Sequence, residues 1–284
     1  MYFLIAAITF SSLIVLTFKL FDRFKIDILQ AVVVNYLVAI GYGLLTSPSV
    51  PGFGEMASMD WFPYALANGL FFILVISTFG LSTQRVGIAL TSVSSKMSVV
   101  WPVLLGWLVL GDNITWVRMA GIAAALVAFY LTFRKKGEPL FSRNRAWLPL
   151  LLFLSTGIND SLMKYAEQRH MGQHQTTYLL VVFAMALMLG LTLLIWKHLQ
   201  NRRPHYHWRN LIGGIALGIF NWLSTLMMIK AMASFDSSVL FPVFNASIVT
   251  IAALLGYFFF RERLKPVNWI GIGLALAAIV LTAG

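Results

Sequence analysis

The sequence contains no cysteine, which excludes disulfides and thiolate metal sites. Charge is also scarce: 11% of the 284 residues are charged and 59% are hydrophobic, with a mean hydropathy of +0.81. A soluble domain is about a quarter charged, so a single water-facing globule is excluded. No GxxxxGK[ST] run and no HExxH pair occurs, which removes phosphate-loop and zincin chemistry. The histidines, His170, His174, His198, His205 and His207, all fall in predicted loops. The spacing of His170 and His174 would suit a metal on a helix face, but no third ligand accompanies them. No metal or other cofactor is expected. Acidic residues number 10 against 21 Lys and Arg, a net charge of +11. The basic residues sit in short loops between apolar runs, which is how charge sets membrane orientation, so no nucleic-acid partner is expected.

What the chain does have is apolar runs long enough to span a bilayer, for which roughly 20 residues suffice. They predict about ten transmembrane helices, at 2–21, 28–46, 61–82, 87–110, 115–133, 147–166, 176–196, 209–232, 237–260 and 266–283. In lipid every backbone polar group must be paired within the segment, and the alternating pattern of a closed barrel is absent. The fold class is therefore all-α integral membrane. Residues 1–20 lack a basic leader and a small-residue cleavage site, and read as a first helix and not a removed signal. Tight turns are expected at 82–86, at Gly111-Asp112-Asn113 and at 261–266, where Pro266 suits a helix's first turn.

The longest polar stretch, RKKGEPLFSRNR at 134–145, divides the chain near its middle, and the flanking parts are similar. An offset of 150 pairs Asp112 with Glu262, Val117 with Val267, Gly121 with Gly271, Leu131 with Leu281, Thr132 with Thr282 and Gly106 with Gly256. An offset of 145 pairs Lys19 with Lys164 and Asp22 with Glu167. The expected organisation is two five-helix repeats, 1–137 and 146–284. An odd number of spans inverts the second copy, the plan of many secondary transporters with a site near the midplane between the repeats.

At these residues the chain resembles the drug/metabolite transporter superfamily, in its ten-helix EamA-like branch. The family's acidic turn, Gly-Glu-Arg-Leu followed by a helix with a central glycine, is matched by Arg261-Glu262-Arg263-Leu264 through Gly271, and less closely by Gly111-Asp112-Asn113-Ile114 through Gly121. The family's Asn five residues before a Lys is matched by Asn159 and Lys164, whereas the first half has Ile14 before Lys19. The resemblance covers nearly the whole chain. It implies a multi-pass transporter of the bacterial inner membrane, with substrates drawn from amino acids, nucleotide sugars, sugar phosphates and cationic drugs. It also implies cytoplasmic termini. The charge count points the other way: sixteen basic residues flank the loops after the odd-numbered spans, and only Arg118, Lys164, Arg169 and Lys230 lie on the other side. Both orientations stay open.

Charged side chains inside a membrane span are costly and are functional-site candidates by default. Lys96 is the foremost, about 14 Å into the fourth span at 1.5 Å per residue. Its role is to bind an anionic substrate group or to exchange a proton, or else it is a lysine neutralised for packing. Ser92 and Ser95 flank it. The position aligned with it in the ninth span is Ala246. Asp160, beside Asn159 in the sixth span, is its expected partner, with a pairing to Lys164 on the same helix as the alternative. Lys164 itself is expected to snorkel to the interface. Tyr36, Asn68, Asn221, Trp222 and Asn245 complete the polar set, each Asn serving either substrate contact or helix–helix hydrogen bonding. Pro242 near Asn245, and Trp101-Pro102, mark places where the backbone frees a carbonyl. Gly214 and Gly218 form a packing step. Trp61, Trp116, Trp147, Trp208 and Trp269 fall at span ends as interfacial anchors.

These residues predict a secondary active transporter, an exporter or exchanger of a small polar metabolite such as an amino acid, working by alternating access. The alternative is a flippase for a lipid or lipid-linked intermediate on the same scaffold. The expected partners are a small-molecule substrate, the lipid bilayer and protons as a candidate coupling ion, with the chain a monomer or homodimer. No cluster of catalytic acids or histidines supports an enzyme.

Overall fold

The computed structural model describes residues 1–47, 50–85, 88–112, 115–133, 147–200, 207–260 and 266–283. The polar stretch 134–145, the turn residues 261–265 with Glu262, Gly87, Asn113, Ile114 and His205 lie outside them. So do the side chains of Lys19, Asp22, Ser92, Arg118, Thr132, Gly256, Leu281 and Thr282.

Among the described residues the chain is helical throughout, without strands. In order the helices are α1 (Tyr2–Phe24), α2 (Ile28–Thr46), the short α3 (Phe53–Ala57), α4 (Phe62–Arg85), α5 (Ile88–Met97), α6 (Val100–Leu105), α7 (Trp116–Phe133), α8 (Trp147–Ala166), α9 (Gln175–Leu199), α10 (Trp208–Met232), α11 (Ser237–Phe260) and α12 (Pro266–Ala283). Two π-helical turns, Gly106–Leu110 and Glu167–Met171, extend α6 and α8. Ile28–Thr46, Phe62–Phe79, Gln175–Leu199 and Trp208–Met232 are long and apolar enough to cross a membrane, and shorter apolar helical stretches accompany them. This is a multi-pass membrane protein.

The chain forms two compact units, each discontinuous in sequence. The first comprises Met1–Leu74 and Ala166–Lys230. Here α2 and α9 pack along each other. The glycine step of α10 faces α2: a Cβ on Gly214 would stand 2.7 Å from the Ala31 carbonyl, and one on Gly218 2.6 Å from the Asn35 carbonyl. The packing role expected of these glycines therefore has a direct steric basis. Asp27 caps α2 by accepting from the Gln30 N–H at 3.0 Å, and its other oxygen pairs with Lys197 at 3.2 Å.

The second unit comprises Val75–Tyr165 and Ala231–Gly284. In it α12 packs on α7 and α11, and α11 also meets α6 and α7. The hairpin between α4 and α5 is closed by a 2.6 Å hydrogen bond between the Ser82 and Thr91 hydroxyls. The fourth expected span is not one helix. Proline has no N–H for the carbonyl four residues back, and its ring crowds that carbonyl; at Pro102 the affected residue is Ser98. Accordingly α5 ends at Met97, the Ser98 hydroxyl turns back to the Ser95 carbonyl at 2.5 Å, and the helix resumes at Val100. Lys96 thus lies in the last turn before a break and not at the centre of a continuous helix.

Two further expectations are corrected. Trp61 is 1% exposed, packed on Tyr178 and His174, so it is a core residue and not an anchor. Trp116, Trp147, Trp208 and Trp269 do remain exposed. Nor do all histidines sit in loops: His170 lies in a π-helical turn, stacked on Tyr64, and His198 in the last turn of α9.

Candidate functional site

The site residues named from the sequence fall into two groups, one in each unit. In the second unit the break at Pro102 brings the end of α5 against α11. The Lys96 ammonium donates to the side-chain amide oxygen (Oδ1) of Asn245 at 3.1 Å. Asp160 on α8 also acts on Lys96 electrostatically, but no ion pair within 4.0 Å joins them among the described residues. The direct partner of Lys96 is therefore an amide on α11, with the carboxylate as a more distant counter-charge. The Asn159 amide donates to the Asp160 carboxylate at 3.4 Å. Lys96 and Asp160 are partly exposed, while Asn245 and Asn159 are buried. Trp101, 38% exposed, leans on α8 over Gly157, one turn before Asp160, and meets Phe153 at 6.0 Å between ring centres. Gly157 has to be a glycine there, because a Cβ would run into the indole.

The alternative partner of Asp160, Lys164, is engaged elsewhere. It is completely buried, and its ammonium donates to the carbonyls of Met232 at 2.5 Å and Phe235 at 3.2 Å. It does not snorkel; it binds the carbonyl end of α10, where the helix dipole favours a cation.

In the first unit, Asn221 donates to Asn35 at 3.1 Å, and Thr225 donates back to Asn221 at 3.4 Å. Ser11 on α1 and Ser224 on α10 share a 2.5 Å hydrogen bond. Asn68 accepts from the Tyr178 hydroxyl. Each amide therefore joins two helices, the hydrogen-bonding role weighed for it above. Tyr36 and Trp222 are fully buried against Phe183, at 5.7 and 5.8 Å between ring centres. The Tyr36 hydroxyl is buried with no hydrogen-bond partner. Sequence reasoning missed Tyr178, Ser11, Ser224 and Thr225, since a lone hydroxyl on an apolar helix carries no spacing signal. Among the described residues no group of three His, Cys, Asp or Glu side chains could hold a metal.

The fold is that of a helical membrane protein in which Lys96 and Asp160 lie on apolar helices. Residues 145–284 match the EamA-like transporter family. The match covers the second half of the chain, and the family it describes is one of membrane transporters. An uncharacterized protein of Haemophilus influenzae is 26% identical over 287 residues, spanning 98% of this chain and 96% of the relative. An uncharacterized protein of Sinorhizobium fredii, y4nH, is 29% identical over 72 residues, 25% of this chain and 59% of that one. A protein crystal structure shares the fold with a TM-score of 0.74 at 14% identity, over 99% of this chain and 94% of the other.

Proposed function

We propose that the chain is a secondary active transporter of the bacterial inner membrane. It moves a small polar metabolite, such as an amino acid, by alternating access, as an exporter or exchanger. The site is formed by Lys96, Trp101, Asn159, Asp160 and Asn245 of the second unit, with Ser92 nearby in sequence; Tyr36, Asn68, Asn221 and Trp222 belong to the first unit and are proposed as further substrate-binding residues there. Protons or a counter-substrate supply the driving force. The observation that carries the proposal is the Lys96–Asn245 contact beside Asp160. A cation, a carboxylate and an amide are drawn from three helices of both sequence halves, and both charges stay partly exposed. A zwitterion supplies the matching carboxylate and ammonium, so each protein charge gains a partner when it binds.

The ten spans are proposed to form two inverted repeats, 1–137 and 146–284. What supports this is which helices meet. The second and seventh spans, α2 and α9, pack together, as do the fifth and tenth, α7 and α12. The fourth and ninth meet at Lys96–Asn245 and at Asp112–Ser237, in opposite chain order, so they run antiparallel. Each is a pair of equivalent spans under the offset of about 150 residues.

The test is uptake into liposomes by the purified protein, assayed with a mixture of labelled amino acids and then a wider panel of small metabolites. Saturable flux that Lys96→Ala abolishes is expected. Flux that is absent across the panel, or untouched by Lys96→Ala, rejects the reading. Scrambling of a fluorescent lipid without solute flux would put a flippase in its place.

A further inference from the structure

The turn joining α10 to α11, residues 233–236, is gripped from both sides by charges from elsewhere in the second unit. On the α10 side is Lys164, fully buried, donating to the Met232 and Phe235 carbonyls. On the α11 side is Asp112, 8% exposed, whose carboxylate accepts from the Ser237 N–H at 2.7 Å. The last carbonyls of a helix and the first N–H groups of the next lack intrahelical partners and carry opposite partial charges. Here each end receives the matching ion. Asp236 holds the N-cap position of α11, its carbonyl accepting from the Leu240 N–H at 2.9 Å, while the Ser237 and Ser238 hydroxyls are buried without partners. Asp112 satisfies the first helical N–H, that of Ser237, from outside the helix.

The surrounding backbone is shaped to deliver that carboxylate. The chain leaves the π-helical turn through Gly111 at φ 82, a left-handed conformation suited to glycine. The Asp112 N–H then returns to the Gly106 carbonyl at 2.9 Å. A Cβ at Gly106 would strike the Asp112 carboxylate and stand 2.8 Å from Ser237 Cβ.

We propose that Asp112 and Lys164 are positioning residues that clamp the α10–α11 turn and so set the axial placement of α11 and α8 at the site. Asn245 lies eight residues past Ser237, about 12 Å along α11. Asp160 lies one turn before Lys164 on α8. A slip of the turn by one residue carries Asn245 about 1.5 Å past Lys96, enough to break a 3.1 Å hydrogen bond. The effect on transport rests on the function proposed above; the clamp itself does not.

The absence of native cysteine allows a direct test. Ser238→Cys places a thiol at a fully buried position beside the clamp, and its labelling by a maleimide in liposomes reads the opening of the turn. Slow labelling is expected in this background. Asp112→Ala and Lys164→Met should each speed it at least tenfold. Lys164→Arg, which keeps a cation and its donors, should restore the slow rate. Asp112→Asn, which keeps an acceptor without the charge, should fall between and serves if Asp112→Ala does not assemble. Unchanged labelling in the Asp112 variants or in Lys164→Met overturns the clamp, as does fast labelling in Lys164→Arg. The second readout is uptake of the labelled amino-acid mixture, where the clamp variants should raise KM at least fivefold and Lys164→Arg should reverse this. Faster labelling with KM unchanged overturns the positioning role. Faster labelling with no uptake even by the parent chain rejects the transport reading and leaves the clamp standing.

Discussion

Breaking the Lys96–Asn245 contact should have opposite consequences depending on which partner is removed. The hydrogen bond is 3.1 Å long and Asn245 is 5% exposed. A hydrogen bond to a charged group contributes about 1.5–3 kcal/mol net. Lys96 keeps some exposure, which places the expectation at the low end, about 1.5 kcal/mol, or about tenfold in an equilibrium constant. Asn245→Ala leaves the ammonium inside the helix bundle without its acceptor and should destabilise by about that amount or more. Lys96→Met removes a charge whose insertion costs about 2.5–3.5 kcal/mol, so it should be neutral or stabilising. In the Lys96→Met background, Asn245→Ala should then cost clearly less, with a coupling energy of about 1.5 kcal/mol. Reversible unfolding in mixed micelles of a mild detergent and sodium dodecyl sulfate measures all four proteins. Lys96→Met should be the most stable of them and carry no flux. Additivity of the two substitutions within about 0.5 kcal/mol, or a marked loss of stability in Lys96→Met alone, would refute the reasoning, because the charge would then be serving the fold and not the site.

Two other outcomes separate tight places from loose ones. Gly218→Ala should cost about 1–3 kcal/mol, since its Cβ would press on the Asn35 carbonyl at 2.6 Å and backbone cannot move aside; Gly273→Ala, with nothing within 4 Å, should leave the thermal midpoint unchanged. Lys197→Met should cost less than about 1 kcal/mol by the same measurement, because the Lys197–Asp27 pair is about a third exposed on each side, at 36% and 33%.

The helix boundaries were legible because apolar length is a strong signal: among the described residues nine of the ten expected stretches correspond to single helices within a few residues at either end, and four helices are long and apolar enough to cross a membrane. The fourth, at 87–110, is broken, and its cause was present in Trp101-Pro102. What could not be anticipated was that the Ser98 hydroxyl and a π-helical turn would absorb the break on either side of the proline. Lys96 and Asp160 stood out because a charge in an apolar run has few structural explanations. Their geometry did not follow, since helix–helix rotation is set by contacts between residues far apart in sequence. Asn245 looked like one amide among several, and only the packing of α11 on α6 makes it the acceptor for Lys96. Lys164 was misjudged for a related reason. A lysine near a helix end usually reaches water, but here the C-terminal carbonyls of α10 arrive at the same point and offer a better match.

The repeat alignment gives the Lys96–Asn245 contact a further meaning. With an offset of 150, Lys96 is equivalent to Ala246 and Asn245 to Ser95. The two residues that touch are therefore, within one position, each other's counterparts. On the proposed inverted-repeat plan, a position that meets its own equivalent lies at the pseudo-two-fold axis. An axis can hold only one copy of a side chain as bulky as lysine. Two ammonium groups there would repel each other in a medium that screens little. Replacing one copy by Ala246 and placing an acceptor, Asn245, beside it resolves that conflict and leaves one charged site for two repeats. Asp160 then breaks the symmetry a second time, since the residue 145 positions earlier, Val15, is apolar. On the proposed function such a site is directional: it presents a cation from the first half and a carboxylate from the second, which gives a zwitterion one preferred orientation along the line between them. Interchanging the lysine, with Lys96→Ala and Ala246→Lys together, should keep a cation near the axis while bringing it onto α11, where the equivalent acceptor position is Ser95. If transport survives that exchange and fails with Lys96→Ala alone, the axis placement is the property that matters; if it fails in both, the charge must come from the broken helix that α5 and α6 form.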